Sequence, residues 1–244
     1  LYFALPIVLG AYLIYKNTLA RSRYLLTPIF IGLLASVAFL LKVPALFDFL
    51  GMFAFMSIVI LSEREGSSAS AKSGFFIAVK TFLPIAISFL IPVLGFFVYF
   101  YFQHALNDYL VAAFSQNASY VAVDTGPLSK LSNPLFVKGF ILLLALIVLI
   151  VLFIKKRVSK ELLFLSLWFG FSIYGALLSG RPYMHYLLQI VPPAVLLGIY
   201  LVVNFRKYWR LNTGYWILLF LVARMFQGAF SLPNVQYYQN WFNY

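Results

Sequence analysis

Residues 135–154 read LFVKGFILLLALIVLIVLFI, and Lys155, Lys156 and Arg157 follow at once. Crossing a hydrocarbon layer as a helix takes roughly 17 to 25 apolar residues. In a medium without water, a helix also satisfies its own backbone hydrogen bonds. Further apolar runs of similar kind lie near 1–15, 24–41, 43–61, 82–102, 162–178, 183–203 and 213–230. Composition agrees: 64% of the residues are hydrophobic, 10% are charged, and the mean hydropathy is +0.95. That is more apolar surface than one soluble core of 244 residues could hide. The expectation is an all-α protein, a polytopic transmembrane helical bundle of about eight spans forming a single transmembrane domain over 1–244, with one short amphipathic helix at its outer face. Opening on Leu1 inside an apolar run, the chain reads as a fragment that lacks N-terminal spans and a first outer loop.

The net charge of +12 would point to nucleic acid in a soluble protein, but its distribution points elsewhere. Lys16, Arg21 and Arg23 share one connection, Arg64, Lys72 and Lys80 another, Lys155, Lys156, Arg157 and Lys160 a third, and Arg206, Lys207 and Arg210 a fourth. These alternate connections hold 13 of the 18 basic residues, and short cytoplasmic loops collect Lys and Arg. They therefore face the cytoplasm, which puts the Lys42–Pro44 turn, residues 103–134, residues 179–186 and the tail after Phe230 outside. Nucleic acid is not expected as a partner. Residues 63–80, rich in Ser and Gly, read as a mobile cytoplasmic loop.

Within 103–134, Leu106, Tyr109, Leu110, Ala113 and Phe114 recur at helical spacing, with Asn107, Asp108 and Gln116 opposite. This is either a helix lying in the interface or a segment packed on neighbouring spans. Pro84, Pro92, Pro192 and Pro193 are expected to interrupt spans, and Pro192-Pro193 to bend the last-but-one. No internal repeat is legible. The chain has no cysteine, two histidines and no His-Glu-x-x-His pattern, so neither disulfides nor a divalent metal is indicated, and no cofactor follows from the sequence.

The candidate site starts from residues 179–186, Ser-Gly-Arg-Pro-Tyr-Met-His-Tyr. Pro182 suits the first position of a helix, here one expected to run through Leu187 to Val203. Arg181 then caps it, and His185 lies four residues later over backbone N–H groups that lack intrahelical partners, a place that attracts anions and phosphate above all. Lys42 closes a span on the same side: either it snorkels to head groups or it meets an anionic ligand, with Asp48 a turn away as its structural partner. Arg224, inside the last span, reads as structurally paired, and His104 as interfacial.

Residues 38–46, Ala-Phe-Leu-Leu-Lys-Val-Pro-Ala-Leu, and the 179–186 corner followed by Pro192-Pro193 resemble the later part of integral-membrane glycosyltransferases of the GT-C class. The nearest likeness is to bacterial enzymes of the protein-mannosyltransferase and aminoarabinose-transferase group (glycosyltransferase family 39-like). Residues 105–110 and on to Phe114 and Asn117 resemble an outer-face segment of such enzymes. The resemblance implies a bacterial plasma-membrane enzyme with its active face outward. A polyprenyl-phosphate-linked sugar docks among membrane lipids, and the sugar passes to a lipid, glycan or protein acceptor. Lys42, Arg181 and His185 would stabilise charge on the leaving phosphate, and Tyr183 and Tyr186 would bond a phosphate oxygen or stack on the sugar. The family's catalytic acid belongs to a first outer loop, upstream of Leu1. Asp48, Asp108 and Asp124 do not match that motif, so the catalytic residue stays unknown and the fragment by itself is expected to be inactive. The rival reading is a permease or flippase for an anionic lipid or solute, and a third is a non-catalytic membrane subunit.

Overall fold

A computed structural model describes residues 2–19, 26–62, 71–115, 134–177, 188–204 and 220. They are helical, with no strand among the described residues. In chain order the helices are α1 (Ala4–Leu19), α2 (Leu26–Leu41), α3 (Leu46–Ser62), α4 (Ala71–Phe102), α5 (Leu106–Leu110), α6 (Pro134–Ile154), α7 (Lys160–Leu177) and α8 (Val191–Val203). A 3₁₀ turn, Val43–Ala45, joins α2 to α3, and a π turn, Val111–Ser115, follows α5. Three helical stretches are long and apolar enough to cross a membrane: Val43–Ser62, Val79–Phe102 and Val137–Ile154. α1, α2 and α8 are shorter apolar helices.

The α3–α7 pair is the spine. Phe49, Met52, Phe55 and Met56 of α3 bury themselves against Leu163, Leu167 and Trp168 of α7. Gly51 makes that approach possible, because a Cβ there would stand 2.7 Å from the Leu167 carbonyl oxygen and 3.0 Å from Phe171 Cβ. Small residues at such crossings let helix backbones come close where lipid offers no hydrophobic drive for association. α1 packs on α2 and α3, α2 lies along α4, and α6 and α8 flank α7. Outward, α4 and α6 are bare: of the apolar windows Val79–Phe102 and Val137–Ile154 only 17% and 22% is buried. Leu83, Ile87, Ile91 and Leu94 form one such exposed row. In water a patch of this kind drives association, whereas against lipid tails it is the stable arrangement.

Two of the basic stretches, Lys16 and 155–160, meet at one end. The Tyr15 hydroxyl at the end of α1 donates to Glu161 Oε1 at the start of α7 across 3.4 Å, and Ser159 meets the Tyr200 hydroxyl near the end of α8 at 2.7 Å. Lys16, the 155–160 connection and the exit of α8 are thereby neighbours. At the opposite end the Lys42–Pro44 turn meets the end of α7 and residue 189, the first polar position before α8. The two chain ends that border residues 178–187 thus emerge beside the Lys42–Pro44 turn.

Several sequence expectations change. Residues 71–80 belong to α4 rather than to a loop, since extending a helix from an apolar span costs less than starting one. Pro84 and Pro92 sit within α4 without ending it, and the Ser88 hydroxyl donates to the carbonyls of Pro84 at 2.7 Å and Ile85 at 3.1 Å. The helix expected to run unbroken from Pro182 through Leu187 to Val203 is interrupted by a turn at 188–190, with α8 starting at Val191, and its expected start at 182–187 lies outside the described residues. Pro192 and Pro193 fall in its first turn, where the missing N–H groups would have no helical partner, so they start α8 and do not bend it. α5 and the π turn form the short helix after α4. Tyr109 stacks on Phe100 at 4.6 Å and Phe114 reaches Phe39, so this segment packs back on the spans. The run at 213–230 and the Tyr-rich tail lie outside the described residues apart from Phe220.

Gly51→Val is expected to destabilise the protein by about 1–3 kcal/mol through overpacking. At Gly95, where a Cβ meets nothing within 4 Å, Ala should be neutral or slightly stabilising. Thermal unfolding of the purified protein in detergent reads both.

Candidate functional site: a buried carboxylate beside the Lys42 turn

Pro44 has no N–H to bond the Leu40 carbonyl and its ring crowds that carbonyl, so α2 does not run on through it, and two residues before it the backbone of Lys42 is extended at φ −159° and ψ 108°. α2 therefore stops and α3 restarts after one 3₁₀ turn, closed by Ala45 N–H donating to the Lys42 carbonyl at 2.9 Å. This places Asp48 in the first turn of α3, where unpaired N–H groups and the helix dipole favour an anion.

Asp48 is fully buried. Trp168 Nε1 of α7 donates to its Oδ1 at 2.8 Å, and Gln189 Nε2 donates to its Oδ2 at 2.6 Å. The same amide nitrogen donates to the Pro44 carbonyl at 3.0 Å. Ser172 Oγ donates to the Gln189 main-chain carbonyl at 3.0 Å and borders the carboxylate. Gly175 lets α7 come this close, since a Cβ would stand 2.9 Å from the Pro44 oxygen and 3.1 Å from Gln189 Nε2. The other buried polar side chains, Ser36 and Ser88, bond carbonyls of their own helices, so Asp48 and Gln189 are the pair that ties different elements together.

Lys42 enters this site from the turn. Its ammonium is buried, lies 4.5 Å from the centre of the Phe3 ring, and acts electrostatically on Asp48. A cation over an aromatic face is attracted by the ring quadrupole. The snorkelling reading is thereby overturned: the side chain turns into the bundle instead of reaching out to head groups. Nor does Asp48 serve Lys42 alone, since its two oxygens take donors from Trp168 and Gln189. Arg181, Tyr183, His185 and Tyr186 lie outside the described residues, as do Asp124 and Arg224. Asp108 is exposed on α5, and His104 closes α4 with a positive φ of 54°.

Sequence reasoning left Asp48 as a partner for Lys42 and passed over Trp168, Ser172 and Gln189. One signal was available: an acidic residue inside an apolar span is expensive and marks function or a buried partner. Chemically, the site holds a carboxyl group and an amine a short way apart in an apolar surround, at the end of the bundle where α7 ends and residues 188–190 lie. Such an arrangement can orient a polar ligand or hold a neighbouring chain segment.

Trp168→Phe keeps a ring but removes the indole donor and is expected to cost about 1–3 kcal/mol, the penalty for a buried group left unsatisfied. In an Asp48→Leu background the same change should cost less than about 1 kcal/mol, because the carboxylate it served is gone. Unfolding of the four proteins of this cycle measures the difference. Comparison with protein-family models, curated proteins and solved structures finds no match to this chain.

Proposed function

We propose that the protein is a multi-pass membrane glycosyltransferase whose about eight spans carry an anion-binding face on the non-cytoplasmic side of a bacterial plasma membrane. On this reading a polyprenyl-phosphate sugar docks with its phosphate at Arg181, His185 and Lys42, and the sugar passes to a lipid, glycan or protein acceptor. Positive charge held in place there lowers the cost of negative charge developing on the departing lipid phosphate. Tyr183 and Tyr186 bond that phosphate or stack on the sugar.

One observation carries the reading. The Lys42 turn and the two chain ends bordering residues 178–187 share one end of the bundle, opposite the basic connections at Lys16 and 155–160. A cationic site made from residues 140 positions apart in sequence needs that meeting, and the positive-inside rule turns that end outward. The residue patterns at 38–46 and 179–186, which resemble GT-C enzymes, support the same assignment.

A permease or flippase for an anionic lipid or solute is the second reading, and the buried Asp48 favours it, because carboxylates within spans mark translocation pathways. The two separate by assay. In membranes carrying the protein expressed from its complete reading frame, Arg181→Ala should lower sugar transfer from a polyprenyl-phosphate donor roughly a hundred-fold while membrane insertion stays at the parental level. Equal transfer by parent and variant contradicts the assignment. Translocation of the lipid with no sugar transferred favours the flippase.

A further inference from the structure

We propose that Asp48 and Gln189 are positioning residues, which fix where residues 188–190 sit and thereby serve Arg181 and His185 of the cationic corner that precedes them in sequence. Residue 189 stands in a turn ahead of α8, outside the described helices. What holds it comes from three other elements: the Asp48 carboxylate of α3, the Pro44 carbonyl of the 3₁₀ turn, and the Ser172 hydroxyl of α7. Its side chain is 1% exposed, and both amide hydrogens are committed. The direction of that amide is also fixed. Turning it over would set its oxygen against the carboxylate and the Pro44 carbonyl.

An apolar pair of the same volume would fill this space at lower desolvation cost. It would lack direction, however: hydrophobic contact tolerates sliding, whereas two short hydrogen bonds on one amide admit one placement. Gly175 points the same way, since the close approach it permits brings the end of α7 against both Pro44 and Gln189. The 188–190 turn is thus clamped at Gln189, its polar position. The link to the cationic corner rests on the transferase reading above. The clamp itself does not.

The test uses the absence of cysteine from the chain, which lets labels go only where they are placed. Leu188 and Leu41 are exposed at the same end, and Lys155 is exposed at the other. Spin labels at Leu188→Cys and Leu41→Cys in lipid vesicles are expected to give one narrow distance distribution. Gln189→Leu and Asp48→Asn should each broaden or shift it, while a reference pair at Leu41→Cys and Lys155→Cys stays unchanged. An unchanged Leu188 distance in both variants overturns the proposal. Movement of the reference pair in both variants overturns it as well, because the polar pair would then hold the bundle and not the segment. If Gln189→Leu fails to fold, Asp48→Asn decides alone. Transfer kinetics of the protein expressed from its complete reading frame supply the second readout: kcat should fall about ten- to a hundred-fold in Gln189→Leu, and adding Arg181→Ala should lower it little further. Independent, multiplying losses contradict action through the corner, and a parent that transfers no sugar counts against the transferase reading while leaving the distance result to judge the clamp.

Discussion

A carboxylate inside an apolar helix bundle is tolerated only if its neighbours replace what water would have supplied, and Asp48 makes that demand on three other parts of the chain. Both oxygens take donors, from Trp168 on α7 and from Gln189 ahead of α8, and Lys42 brings positive charge from the turn between α2 and α3. Removing any of these leaves a buried charge poorly matched, which is costlier than never having had the charge. The helix pairings around it follow. α3 must lie against α7 closely enough for the indole to reach, which asks for glycine at 51 and 175, and the 188–190 turn must close on Pro44.

This constraint gives the molecule two unlike ends. One carries Lys16, the 155–160 connection and the exit of α8, joined by the Tyr15–Glu161 and Ser159–Tyr200 contacts. The other carries the Lys42 turn, Asp48 and Gln189. Between them α4 and α6 expose rows of Leu, Ile and Phe that suit lipid, and polar side chains turn inward.

Much of the helical content was legible from apolar runs, because a residue's affinity for lipid is a property of its own side chain. The turn at Pro44 was legible for a similar reason, proline stopping a helix through its own ring and its missing N–H. The start of α4 at Ala71 and of α8 at Val191 was not, since Ser and Gly near the first and the proline pair near the second have more than one solution until packing selects one. The polar centre was hardest to read. Asp48, Trp168 and Gln189 are 120 and 141 positions apart from the carboxylate outward, and no spacing rule links them. Lys42 was singled out in the sequence for head groups as readily as for a ligand, and only its placement over Phe3 decided that it turns inward.

The central claim, that the Lys42 end and the 155–160 end lie on opposite sides of a membrane with the first facing outward, is open to one direct measurement. Gln103 is exposed where α4 ends on the Lys42 side and Lys155 is exposed at the other end, in a chain with no cysteine of its own. Single-cysteine proteins, Gln103→Cys and Lys155→Cys, are treated with a membrane-impermeant maleimide in intact cells and again after permeabilisation. The account predicts that Gln103→Cys reacts in intact cells and Lys155→Cys only after permeabilisation. The reverse pattern, or equal labelling of both from outside, would contradict it.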